Sequence, residues 1–353
     1  MLRIFGLKEE TSYGVKPISI QDNGEGYDFH RRLSDGEFKL NDEPVKYSGG
    51  SRMVQGARPG AVKPTGSTEG KCDLKRVGYY LKAFFDQYKY TNGSDDELNT
   101  HEFWGGESND LKSFTGVATF DYFEKVITGL MLDELSFDVS TEYLTQKESW
   151  VYQNETMNPI NEDTYEFRDI EGAIPLMFYD INLELNDTAM NNVIFKSFKF
   201  DGKNNINQDG TIGLGSRFPQ RKASAQAREI DLEVGSNLDK GSDFIKLLKG
   251  AEYGSETANT PTGCLIYKVP LKVTVKTCED DYTESLVMYF PKSTVNVEYS
   301  AKESDEIEVT FKLAALGTGS LTNFKEFKTS NPLPNVKTDC YCVLKNDVNK
   351  IGA

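Results

Sequence analysis

Val295-Asn296-Val297-Glu298-Tyr299 and, after a short acidic interval, Ile307-Glu308-Val309-Thr310-Phe311-Lys312-Leu313 alternate apolar and polar side chains at every step. A period of two is the signature of a strand with one buried and one wet face. The pattern recurs upstream in Leu135–Val139, Ile181–Leu185 and Leu271–Val275. Turn-forming pairs such as Asp201-Gly202 and Asp209-Gly210, and the run Gly317-Thr318-Gly319, punctuate the strands. Short strands joined by polar turns predict an antiparallel sandwich or barrel. Helical periodicity is confined to two places. Val77–Tyr88 carries Leu81, Phe84, Phe85 and Tyr88 on one face, and a second helix is expected after Ser242, a suitable N-cap, with Gly250 as its stop.

The elements occur twice in the same order. Gly50-Ser51-Arg52-Met53-Val54-Gln55 returns as Gly215-Ser216-Arg217-Phe218-Pro219-Gln220, and the short strand Lys71-Cys72-Asp73-Leu74 matches Glu229-Ile230-Asp231-Leu232. A short helix follows in each copy. The strand Leu135–Val139 and its partner near Trp150–Tyr152 then match Val295–Tyr299 and Ile307–Phe311. Self-similarity at a fixed spacing predicts duplication. The expected division is an N-terminal arm (1–24), a first domain (25–165), a linker (166–173), a second domain (174–321) and a C-terminal tail (322–353). Arm and tail are polar and expected to be mobile or ordered by a neighbour.

The chain has a formal net charge of −15, which opposes nucleic-acid binding, because that affinity rests on neutralising phosphates with Lys and Arg. An acidic surface would instead let DNA pass without adhering. No apolar run reaches the roughly 18 residues needed to cross a bilayer, and the N-terminus makes a poor signal peptide, so synthesis in a cytoplasm is expected. The five cysteines, Cys72, Cys264, Cys278, Cys340 and Cys342, are odd in number and scattered, unlike a disulfide framework.

The order of Gly-Ser-Arg loop, strand, short helix, long loop and closing hairpin resembles the tail tube proteins of long-tailed bacteriophages, in the form with two fused tube domains. Thr65-Gly66-Ser67-Thr68-Glu69-Gly70-Lys71-Cys72-Asp73-Leu74 followed by Tyr80-Leu81-Lys82-Ala83-Phe84 resembles that family's strand-to-helix passage, and Val287–Leu313 its final hairpin. The resemblance implies a mainly β fold of two tandem tail-tube-type β-sandwich or barrel domains, each with one short α-helix, plus arm and tail. It implies a virion protein, assembled in the bacterial host cytoplasm, that forms trimeric rings of pseudo-sixfold symmetry stacked into a tube. Its partners would be copies of itself and the tape measure, terminator and tail-tip proteins, with DNA passing through the lumen unbound and no membrane involved. The segment 90–111 holds Asp95, Asp96, Glu97, Glu102, Glu107 and Asp110 without Lys or Arg, whereas Arg52, Arg58 and Lys63, and Arg217, Arg221, Lys222 and Arg228, make the Gly-Ser-Arg regions basic. Arg52, Gln55, Arg217, Gln220, Asp95, Asp96 and Glu97 are therefore candidate ring-interface residues, with acidic loops of one ring meeting basic loops of the next.

No catalytic constellation or cofactor motif is legible. Asn205-x-Asn207-x-Asp209-Gly210-Thr211-Ile212 has calcium-loop spacing, but position one is Asn and position twelve is Ser216 where a bidentate Glu belongs, so turn chemistry is the better reading. His30 and His101 lie far apart in polar stretches and read as surface residues, and Cys340-x-Cys342 places two thiols on one face of a strand without completing a metal site. Competing readings are a tail-tip or baseplate component of the same fold, and a two-domain β-sandwich that binds carbohydrate or a cell surface.

Overall fold

The computed structural model describes residues 4–351 apart from 22–24, 43, 49–51, 94–96, 121, 140–141, 161–165, 168–169, 186–187, 190–194, 238–241, 256, 261–265, 278–283, 302–306 and 329–335. The fold is mainly β with few, short helices. The first half contributes β1 (Ile4–Glu9), β2 (Phe29–Arg32), β3 (Asp35–Lys39), β4 (Val45–Tyr47), β5 (Gly56–Arg58) and β6 (Thr65–Lys71). Helix α1 (Val77–Phe84) follows, then β7 (Gln87–Thr91), β8 (Asn99–Trp104), β9 (Phe114–Phe120), β10 (Phe123–Val139), β11 (Thr145–Val151) and β12 (Asn154–Pro159). The second half runs β13 (Ile181–Leu185), β14 (Thr188–Ala189), β15 (Phe195–Lys203), β16 (Glu229–Asn237), α2 (Ser242–Tyr253), β17 (Lys268–Lys276), β18 (Ser285–Ala301) and β19 (Ile307–Ala315). The chain ends with β20 (Gly319–Ser320), α3 (Lys325–Lys328), β21 (Lys337–Thr338) and β22 (Tyr341–Asn346).

The pairings repeat between the halves. In the first, β3 pairs β6, β6 pairs β11, and β11 pairs the C-terminal part of β10. In the second, β15 pairs β16, β16 pairs β19, and β19 pairs the C-terminal part of β18. The N-terminal parts of β10 and β18 enter a second ladder. There β2, β1, β9, β10 and β12 are matched by β14, β13, β17, β18 and β22. Each 17-residue strand therefore serves two ladders. The ladder of β10 is irregular between Ile127 and Leu130, and that of β18 is irregular opposite Val269 to Leu271. Such bulges bend a strand and let it leave one sheet for another.

Several expectations need correction. The strand counterparts are β6 and β16, so Lys71–Leu74 and Glu229–Leu232 are not equivalent: one closes its strand and the other opens it. The N-terminal arm is no arm, because β1 is a central strand with Ile4, Phe5 and Leu7 fully buried. Nor is the C-terminus a peripheral tail: β22 lies between β8 of the first half and β18 of the second. Helix α1 stops at Phe84, leaving Tyr88 in β7, and it is buried on every side instead of along one stripe. Its Lys82 meets Glu9 at 2.5 Å and donates to the Ile351 carbonyl. Helix α2 runs through Gly250 to Tyr253 and ends at Gly254, whose φ of 74° suits a left-handed stop. The hydrogen atom of Gly250 instead makes room for the Tyr267 ring.

One apolar core spans both halves, with Phe84 of α1 against Phe200 of β15, and Phe200 against Phe290 of β18.

Candidate assembly surfaces

The halves join strand to strand. Glu134–Val139 of β10 pairs antiparallel with Phe198–Lys203 of β15, so the closing strand of the first half abuts the opening strand of the second. The result is an eight-stranded ladder in the order β3-β6-β11-β10-β15-β16-β19-β18. Among the described residues no register returns from β18 to β3. Among these residues β3 pairs only with β6, and beyond Thr294 β18 pairs only with β19. Two edges therefore stay open, of the same two kinds that meet at the internal junction.

The wet face of this ladder is acidic. One row crosses all eight strands as Asp35, Glu69, Lys147, Ser136, Asp201, Asp231, Ala314 and Thr294. Burial pushes the Asp231 carboxyl up, and repulsion from Glu229 and Asp201 adds to it. Lysines on the face lie beside carboxylates: Lys39–Glu37 at 2.6 Å, Lys147–Glu69 at 3.0 Å, Lys199–Asp201 at 2.5 Å and Lys312–Glu298 at 2.8 Å. These strands carry no arginine, the residue best suited to bidentate phosphate binding.

The loop of residues 204–228, between β15 and β16, is folded onto the first half. Arg217 donates through Nε to the Gly60 carbonyl at 2.9 Å and pairs through Nη2 with Asp42 at 2.5 Å, while the Val62 amide donates to the Arg217 carbonyl. Lys63 meets Asp209 and Lys222 meets Asp110, and Gln153 donates to the Pro219 carbonyl. Beneath these contacts Ile206, Ala223 and Ala225 pack on Leu111, Met131 and Val151. Asp110 of the acidic segment and Lys222 of the basic one thus pair with each other within a single chain.

The other interface candidates are dispersed. Arg52 and Gln55 are exposed near the tip of the β4–β5 hairpin, where the Gln55 amide donates to the Tyr47 carbonyl. Gln220 is exposed and its amide donates to the Thr211 carbonyl. Glu97 is exposed, whereas Asp95 and Asp96 lie outside the described residues, as do Gly50 and Ser51. Glu102 sits on β8, paired with Lys89 and accepting from the Tyr341 hydroxyl.

Both histidines are buried, contrary to the expectation of surface positions. His30 stands opposite Gly6, which has no Cβ to strike the imidazole. His101 accepts at Nδ1 from the Tyr88 hydroxyl and donates from Nε2 to the Val348 carbonyl, and burial depresses its pKa. At His101 the polar neighbours Thr100 and Glu102 concealed this, because in a strand alternate residues point the other way. Sequence reading also missed a buried ion pair. Arg31 donates to Glu148 at 2.8 Å with both side chains almost fully enclosed; Gln146 and Thr68 also donate to Glu148, and the guanidinium lies over the Tyr80 ring.

Asn207 Oδ1 accepts from the Asp209 amide and Asn205 has a φ of 50°, so this segment is a turn whose carboxylate is committed to Lys63. Cys340 and Cys342 are buried, with sulfurs 3.5 Å apart, and Cys72 is a further buried thiol; Cys264 and Cys278 lie outside the described residues. Among the described residues no group of three or more His, Cys, Asp or Glu is placed to hold a metal, and no helix is long and apolar enough to cross a membrane. No model of a known protein family matches the sequence, and no curated protein matches it.

Proposed function

We propose that the protein is a structural subunit of a bacteriophage tail tube, in which three chains close a ring of six tube domains and the rings stack around a DNA conduit. The observation that carries this reading is the β10–β15 junction. It joins one copy to the next in a head-to-tail manner and leaves behind one edge of each kind. An edge strand is a template for further pairing, and repeating one heterologous contact with the right rotation closes a ring.

The internal junction also supplies the register. Strands β10 and β18 are related by a shift of 162, since 123–139 becomes 285–301, and the same shift carries β3 (35–39) to 197–201 within β15. The internal pairs Phe137–Phe200 and Ser136–Asp201 then become Tyr299 opposite Phe38 and Glu298 opposite Lys39 of the next chain. Opposite charges directly across a ladder favour pairing. The acidic face, free of arginine, becomes the lumen, where it repels phosphate.

Negative-stain microscopy of the concentrated protein should reveal rings or tubes. Under mild oxidation the double variant Lys39→Cys, Glu298→Cys should give covalent multimers, with neither single variant doing so. A chain that stays monomeric at high concentration and does not cross-link would defeat the proposal.

A further inference from the structure

The two Gly-Ser-Arg segments have the same place in the fold and opposite surroundings. Asp42 bridges Val62 at the base of the first, and Asn207 bridges Ser224 at the base of the second. The second segment is seated on the first half through Arg217 and the apolar patch under it. The described part of the first segment, Arg52 to Gln55, lies in the hairpin of β4 and β5, where every described residue of 44–59 is exposed except the half-buried Gly56. Val45, Tyr47, Met53 and Val54 all face solvent, Met53 at 75% exposure. A ribbon with three-residue strands does not hold an apolar surface in water by itself. Among the described residues it has no apolar floor like the one on which its counterpart rests.

We infer that the β4–β5 hairpin docks on the second half of another copy of this chain, as the 204–228 loop docks on the first half within the chain. The inference rests on the head-to-tail ring proposed above. The seat follows from topology. The floor under the internal loop lies at the end of the β10–β11 ladder, whose last pair is Met131–Val151. The same end of the β18–β19 ladder is Ser293–Ala315. Beside it stands the Asn207–Ser224 bridge, the counterpart of the bridge that receives Arg217. Arg52, the counterpart of Arg217, is placed to reach that bridge. Tyr47, Met53 and Val54 supply the apolar contact that Ile206, Ala223 and Ala225 provide internally. The hairpin is then a lateral clamp, separate from the edge-strand ladder.

Hydrogen exchange on the full-length protein, dilute and assembled, tests the clamp alongside the variant Met53→Asp, Val54→Asp. Amides of 45–58 should exchange freely in monomers and become protected in single rings. The variant should keep the wild-type thermal midpoint as a monomer yet need a roughly tenfold or greater concentration to assemble, as loss of an interface anchor does. Rings that form at the wild-type concentration with this hairpin unprotected would overturn the clamp and leave the tube reading intact. Protection that appears only when rings stack would also overturn it, assigning the hairpin to the axial contact. Failure of the wild-type chain to assemble, together with failure of the Lys39→Cys, Glu298→Cys variant to cross-link, would remove the clamp together with the ring.

Discussion

Phe137 of β10 and Phe200 of β15 stand directly opposite each other across the junction of the two halves, their ring centroids 5.5 Å apart. The junction is therefore part of the core, and each half completes the other. Phe200 also meets Phe84 of α1 and Phe290 of β18, so its removal leaves a cavity bordered by both halves. Phe200→Ala should cost about 3–5 kcal/mol of unfolding free energy. In a denaturant titration both halves should still unfold together; a second transition with the first midpoint unmoved would mean that they are independent units.

The Arg31–Glu148 pair gives a test with a built-in comparison. In the first half Glu148 faces Leu135 and Thr68; in the second, Phe311 faces Val297 and Val234. The same architecture thus tolerates an apolar row. Removing one partner strands a buried charge, so Arg31→Met or Glu148→Leu alone should cost about 3–5 kcal/mol. The double variant should recover most of that loss, because two desolvated ions are replaced by apolar volume. Additive losses in the double-mutant cycle would refute this account.

The strand alternation and the duplication were legible because one-sided burial imposes period two and because both copies retain their order of elements. Strand reach was not. Nothing local in Phe123–Val139 distinguishes one 17-residue strand in two ladders from two short strands. The burial of His101 and of the C-terminal strand is not legible for a related reason: it depends on partners more than two hundred residues away, as the Leu344–His101 register demonstrates. Of the interface candidates, Arg217 meets the first half within the chain, a contact that spacing cannot distinguish from one between chains.

Removal of the chain from Lys337 onward tests the structural role of the C-terminus. It would strip β22 from between β8 and β18 and delete the buried side chains Tyr341, Cys342 and Leu344. At roughly 1.5–3 kcal/mol for each large apolar side chain, that loss is comparable to the ~5–15 kcal/mol that stabilises a whole domain. The truncated protein should be insoluble or lose its cooperative thermal transition. A soluble product melting at the wild-type temperature would restore the view of this segment as a dispensable tail.

Glu284 carries the clearest pH prediction. Burial pushes its carboxyl up to about 7 from an ordinary value of 4.5; Lys75 at 3.9 Å lowers it, and Asp347 raises it further. Between these two values the folded chain holds a proton that the unfolded chain has released. This group's contribution to stability therefore falls as pH rises through that window, and its charged form burdens the fold above it. Glu284→Gln removes the charge while keeping the shape. Relative to wild type, it should raise the denaturant midpoint at pH 8 and give a much smaller gain near pH 5. An equal difference at both pH values would mean that the carboxyl titrates alike in the folded and unfolded chains.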